Sequence, residues 1–304
     1  MDIAQLNTEF GQLGRLTFGV GQGDLPLLEI THPQATALIS LYAGQVLSFR
    51  PTSATEDVIF VSDKAYYQSG KAIRGGIPIC WPWFGPDPEE LGRGAHGFVR
   101  NRMWQMMRSQ TTVEGETKVT LGLADTPETR AIWPHAFELN LVVTVGANLT
   151  VELITQNPGN TPFSITQALH TYFKVGDITQ VQVLGLDGVR YLDKTDGGIE
   201  KLQTGNITID REVDRIYQNV TAGDLVIVDP VYQRRICINA QGSKTAIVWN
   251  PWIEIATGMA DLEDTDYQRF ICVETANAAT DRVTLAPDSE IRLRAHYRVE
   301  PGAG

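Results

Sequence analysis

Residues 291–299 read Ile291-Arg292-Leu293-Arg294-Ala295-His296-Tyr297-Arg298-Val299. Apolar side chains fall on the odd positions and basic ones on the even positions. That period of two belongs to a strand with one buried and one wet face, not to a helix of 3.6 residues per turn. A second pair of strand-like runs, 137–145 and 149–155, is separated by Gly146-Ala147-Asn148. Glycine and asparagine tolerate the positive φ of a tight hairpin, so antiparallel pairing is predicted there. Further runs of strand character lie at 37–49, 58–61, 118–123, 180–186, 225–228, 235–238 and 246–249, many of them bounded by Gly, Asn, Asp or Pro.

Helical signals are few and short. Thr126-Pro127 opens one candidate, with proline near a helix start, and 259–264 suits a turn. Many short strands without intervening helices predict an all-β fold, a large antiparallel sandwich or barrel, and argue against a doubly wound parallel sheet. No linker, low-complexity segment or fixed-period repeat divides the chain, so residues 1–304 are expected to form one domain, with the terminal 301–304 frayed.

Composition narrows the function classes. The chain has 304 residues, 42% hydrophobic and 20% charged, as in an ordinary globular protein. Its 25 Lys and Arg against 36 Asp and Glu give a net charge of −11, which argues against sequence-independent nucleic-acid binding. An anionic ligand would need a local cationic pocket. No basic leader with an apolar run and no stretch of eighteen apolar residues is present, so a cytoplasmic location without membrane attachment is expected. Cys80, Cys237 and Cys272 are odd in number and lack paired spacing, which suits reduced core thiols better than disulfides or a zinc site.

Several segments could carry chemistry. Residues 71–86, KAIRGGIPICWPWFGP, are too rich in Gly, Pro and Trp for a regular strand, and could hold Arg74 rigidly before a ligand; a Trp-rich core corner with a surface arginine is the plainer alternative. In 96–102, HGFVRNR, strand alternation would place His96, Phe98 and Arg100 on one side. Two arginines, Arg74 and Arg100, could offset most of a phosphate dianion through charge-assisted hydrogen bonds, although a solvated basic edge reads the same way. His170, in QALHTYF, is either a tuned imidazole or a satisfied core histidine. Glu274 follows the buried-strand pattern Phe270-Ile271-Cys272-Val273, so it must be neutral, hydrogen-bonded or catalytic. Asp214 could bind sugar hydroxyls or close a turn, and the tryptophans of WNPW, 249–252, could stack on a pyranose or pack beneath the site.

Taken together, KAIRGGIPICWPWFGP, AHGFVRNRMW, ALHTYFKVGDI, DRIYQNV, VWNPW with GMADLEDTDYQ, and ICVETAN resemble the glucose-6-phosphate 1-epimerase branch of the aldose 1-epimerase superfamily, in the expected order from about residue 71 to 278. The resemblance implies a single-domain β-sandwich of supersandwich type, no cofactor, and interconversion of the anomers of a hexose 6-phosphate. By motif, His170 and Glu274 match the family's catalytic pair, Arg74 and Arg100 match arginines associated with the substrate phosphate, Asp214 a substrate-binding aspartate, and His96 a site histidine facing the sugar. Ala95 stands where some relatives carry a substrate-binding glutamine, and Thr275-Ala276-Asn277 replaces the Pro-Gly that follows the glutamate in others.

The chemistry expected is acid–base ring opening, with protonated His170 as acid and ionised Glu274 as base. The expected partner is a small sugar phosphate acting on a monomer, with no nucleic acid, membrane or metal. A mutarotase of free aldoses, a noncatalytic carbohydrate module and a glycoside hydrolase are the rivals. Hydrolysis ranks last, because Glu274 has no obvious carboxylate partner in the matching segments.

Overall fold

In the computed structural model, which describes residues 2–221 and 223–302, every paired strand runs antiparallel and two large sheets dominate. One has eight strands. Its connected path runs from Ile199–Leu202 through Arg190–Asp193, Val213–Gln218, Thr245–Asn250, Phe270–Asn277 and Gln167–Leu169 to Ile79–Cys80, with Tyr172–Lys174 also paired to Phe270–Asn277. The other has nine, and Glu290–Pro301 lies at its centre between Arg234–Gln241 and Leu149–Gln156. A four-stranded meander, Leu16–Val20 to Gln45–Pro51, and the short ribbon Phe163–Ile165 with Val283–Leu285 complete the architecture.

The two large sheets share one core. Leu293, Ala295 and Tyr297 of the long strand are fully buried, as are Ile271 and Val273 of the facing sheet, and Phe173 meets Tyr297 edge-on at 5.4 Å. Each such aliphatic side chain contributes about 1.5–3 kcal/mol by leaving water. The basic face of the long strand stays wet, where Arg292 pairs with Glu152 and Glu290. The 138–145 and 149–156 strands pair as expected, but loop 146–148 closes without any residue at positive φ. The bend is spread over three residues and closed by the Gly146 N–H on the Asn148 carbonyl at 3.0 Å, so the left-handed conformation of a two-residue turn is not needed.

Several expected elements differ. The run 37–49 is a hairpin, Ala35–Ser40 and Gln45–Pro51, because Ala43 and Gly44 turn the chain at φ 68° and 58°. Residues 58–61 make only isolated bridges to Phe173 and Gly75, and 180–186 shrinks to Gln182–Leu184 after a 3₁₀ turn capped by Asp177. Residues 96–102 form no strand: His96 has φ 64° and Val99–Asn101 is a 3₁₀ turn. Helix Pro127–Ile132 forms with Thr126 as its cap, and helices Ile3–Phe10, capped by Asp2, and Trp252–Thr257 add to it. At the end of the chain Pro301 closes the long strand and the Gly302 N–H bonds the Gln233 carbonyl; the rest of the segment expected to fray, 303–304, lies outside the described residues.

Candidate active site

The outer face of the eight-stranded sheet carries the site. Along Phe270–Asn277, Ile271 and Val273 enter the intersheet core, so Cys272, Glu274 and Ala276 face the other way. Cross-strand pairs put Ile247 opposite Glu274, Trp249 opposite Cys272 and Asp214 opposite Trp249, all on this same face. On the other side, Leu169 pairs with Thr275 and Tyr172 with Cys272 in one register, which brings His170 opposite Glu274. The ladder is interrupted there, since the Thr171 N–H bonds the Leu169 carbonyl at 3.0 Å in a three-residue turn about His170.

His170 Nε2 lies 3.5 Å from Glu274 Oε1, with the side chains 10% and 1% exposed. His170 Nδ1 and Glu274 Oε2 are buried without a hydrogen bond inside the protein. Around this buried floor stand half-buried Arg74, Phe84, His96, Arg100, Asp214 and Trp249. His170 stacks on Tyr172 at 5.0 Å and 12° and has Trp249 edge-on at 5.9 Å and His96 at 5.6 Å. His96 Nδ1 accepts the Gly85 N–H at 3.3 Å, which leaves the hydrogen of its neutral ring on Nε2.

Electrostatics follow from burial. Desolvation, reinforced by His96 and the Arg100 and Arg74 guanidinium charges, pushes His170 well below its ordinary value, and desolvation with the same two arginines brings His96 down to about 3. Desolvation and the negative charge of Asp214 push Glu274 well above the carboxylate range, with Arg100 opposing. Desolvation likewise lifts Asp214 to about 6. These shifts favour a neutral imidazole and a neutral carboxylic acid, where the sequence reading expected an imidazolium and a carboxylate. The cause is burial of both groups, reinforced at His170 by His96 and the two guanidinium charges and at Glu274 by the Asp214 carboxylate. The pair holds one proton either way, so it titrates as a unit.

All six residues singled out in the sequence gather here. Arg74 and Arg100 both act by charge on the same two imidazoles, although strand alternation was the wrong reason for Arg100. A 3₁₀ turn presents it instead, with Nη2 donating to the Ala95 carbonyl at 3.1 Å. In segment 71–86 Trp81 is fully buried against Trp133 and Phe137, as a core corner would be, while half-buried Arg74 donates to the Tyr172 hydroxyl. Gly75 there has φ 101°, and a Cβ on it would meet the Phe60 carbonyl oxygen at 2.4 Å. Asp214 lies on the same sheet face as Glu274 and its charge raises the Glu274 carboxyl, a neighbour that the sequence did not reveal. Trp252 packs on Tyr267 instead of stacking in the site. Tyr172, Phe84 and Asp261 were missed as site residues, because their roles depend on contacts with His170 and Arg74 that only the fold creates. All three cysteines are buried free thiols, and no helix among the described residues is long and apolar enough to cross a membrane.

The outer sheet face of this large antiparallel sandwich thus holds an imidazole against a carboxyl group, ringed by aromatic and cationic side chains. The model of the family described as aldose 1-epimerase matches residues 26–298. This chain belongs to the aldose 1-epimerase family and is an isomerase. It is 38% identical to an Escherichia coli K12 protein with the provisional name glucose-6-phosphate 1-epimerase, over 86% of each chain. A Salmonella typhimurium relative with the same provisional name is 37% identical over 84% of each. A crystal structure from Salmonella typhimurium, described provisionally as a mutarotase, superposes with a TM-score of 0.87 at 34% identity, covering 94% of both chains.

Proposed function

We propose that the protein interconverts the α and β anomers of a hexose 6-phosphate, with glucose 6-phosphate the first candidate, through His170 and Glu274. The observation that carries this reading is the buried 3.5 Å contact between the two groups, with one unpaired polar atom left on each. A noncatalytic module would have no reason to bury this pair. The names of the relatives support the phosphorylated substrate, as do the two guanidinium charges reaching the pair.

A phosphate dianion between Arg74 and Arg100 offsets the charges that hold His170 neutral. The shared proton then moves toward the imidazole, giving the acid and base that ring opening needs. Glu274 takes the proton of the C1 hydroxyl as the C1–O5 bond breaks, and its electrons pass to O5, which receives the proton of His170. The open-chain aldehyde turns about C1–C2. On reclosure O5 attacks the other face of C1, His170 recovers the O5 proton, and Glu274 returns its proton to O1. His96, with hydrogen on Nε2, donates to a sugar oxygen, and Asp214 accepts from a hydroxyl. Phosphate binding energy thereby orients C1 between acid and base.

The test replaces Arg74 or Arg100 by Gln and compares anomer exchange on glucose 6-phosphate and glucose. Loss of a charge-assisted contact worth about 1.5–3 kcal/mol lowers kcat/KM on the phosphate by roughly ten- to a hundredfold. The loss on glucose is much smaller; an equal loss on both contradicts the phosphate assignment.

A further inference from the structure

Arg74 has two fixed partners besides any ligand. Nη1 donates to the Tyr172 hydroxyl at 3.0 Å, and Nη2 lies 3.1 Å from Asp261 Oδ2. Asp261 belongs to a turn in which the Met259 N–H bonds the Ala256 carbonyl and the Leu262 N–H the Met259 carbonyl. Leu262 is 1% exposed and packs in one cluster with Tyr172 and Phe270. Further along, fully buried Asp266 accepts the Ser62 hydroxyl at 3.1 Å and the Glu263 N–H at 3.0 Å, while the Ser62 N–H bonds the carbonyl of Arg74 itself at 3.1 Å. The segment bearing Asp261 thus grips Arg74 at both ends, the guanidinium directly and the backbone through Ser62.

A carboxylate beside Arg74 opposes a phosphate by charge. A site selected for anion affinity alone would leave it out, so its presence argues for orientation. An arginine side chain carries about 2 kcal/mol of rotamer entropy, and bonds formed before the ligand arrives remove that loss from the binding step. Tyr172 extends the argument, because the ring whose oxygen accepts from Arg74 is the ring stacked on His170 at 5.0 Å.

We propose that Asp261 and Tyr172 are positioning residues that fix Arg74 relative to His170, so that the place of the substrate's phosphate sets the place of its C1 against the acid. The inference rests on reading Arg74 as a phosphate anchor. Neither residue reacts with the sugar.

The experiment compares Asp261→Ala, Asp261→Asn and Tyr172→Phe by the KM and kcat of glucose 6-phosphate anomer exchange and by competitive inhibition with inorganic phosphate. Circular dichroism and Tm verify folding. Asp261→Ala raises KM and the inhibition constant of phosphate about tenfold. Asp261→Asn, whose amide oxygen still accepts from Arg74, stays within threefold of wild type. Tyr172→Phe, which keeps the stacked ring, raises KM like Asp261→Ala. Tighter phosphate binding in both Asp261 variants would mean the carboxylate acts only by charge, and overturns the proposal. Wild type inhibited by phosphate, with Asp261→Ala inhibited equally, overturns this inference alone; wild type insensitive to phosphate overturns the anchor reading and this inference with it.

Discussion

Asp214→Asn isolates the electrostatic tension on this sheet face. In the folded protein desolvation raises the Asp214 carboxyl from 3.8 to about 6. Between those values the native state binds more protons than the unfolded one, so stability falls as pH rises through 6 and the full penalty is present above it. At 1.36 kcal/mol per pKa unit the difference of about two units is worth roughly 3 kcal/mol, and partial exposure of the side chain reduces it to about 1–2 kcal/mol. Asparagine keeps the shape and removes the titration. The variant is therefore more stable than wild type by about 1–2 kcal/mol at pH 8, by about half of that at pH 5, and has no advantage below the unfolded pKa. Urea unfolding at several pH values measures the gap. Because the Asp214 charge also lifts Glu274, the variant's alkaline activity limb moves to lower pH, while KM rises through the lost sugar contact. A stability gain independent of pH, or one that grows toward acid, refutes the reasoning.

Three further outcomes follow from the same geometry. Thr171→Val leaves the buried Tyr297 hydroxyl, 2.7 Å from Thr171 Oγ1, without its partner and destabilises by about 1–3 kcal/mol; adding Tyr297→Phe recovers much of that loss in a double-mutant cycle by chemical denaturation. Gly97→Ala puts a Cβ 1.8 Å from the Trp81 carbonyl oxygen at φ +71°, so Tm falls markedly and activity suffers through displaced His96. The pH profile of kcat/KM is a bell whose acid limb, where His170 gains a second proton, is displaced below 6.5, and whose alkaline limb, where the shared proton leaves Glu274, is displaced well above 4.5.

How much of this was legible in the sequence depended on range. The alternation at 291–299 carried the central strand because a period of two survives whatever the neighbours are. The hairpin at 35–51 was read as one run, since Ala43 gives no warning of positive φ. His170 and Glu274 were visible as misfits in apolar runs and as family motifs, but their 3.5 Å contact needed the shared register of strands about a hundred residues apart. Their protonation was legible least of all. It is set first by burial of both groups and then by His96, Arg100, Arg74 and Asp214, which arrive from separate elements. Asp261 looked like an ordinary turn residue because its partner, Arg74, is nearly two hundred positions away.

The central claim is that His170 and Glu274 together open and reclose the ring of a sugar phosphate. NMR magnetisation transfer between the anomers of glucose 6-phosphate tests it most directly, with wild type, His170→Asn and Glu274→Gln side by side and free glucose as comparison. The account predicts exchange accelerated by wild type, abolished in both folded variants and much slower on glucose. Acceleration that survives either substitution, or no acceleration on any sugar despite measurable binding, would contradict it.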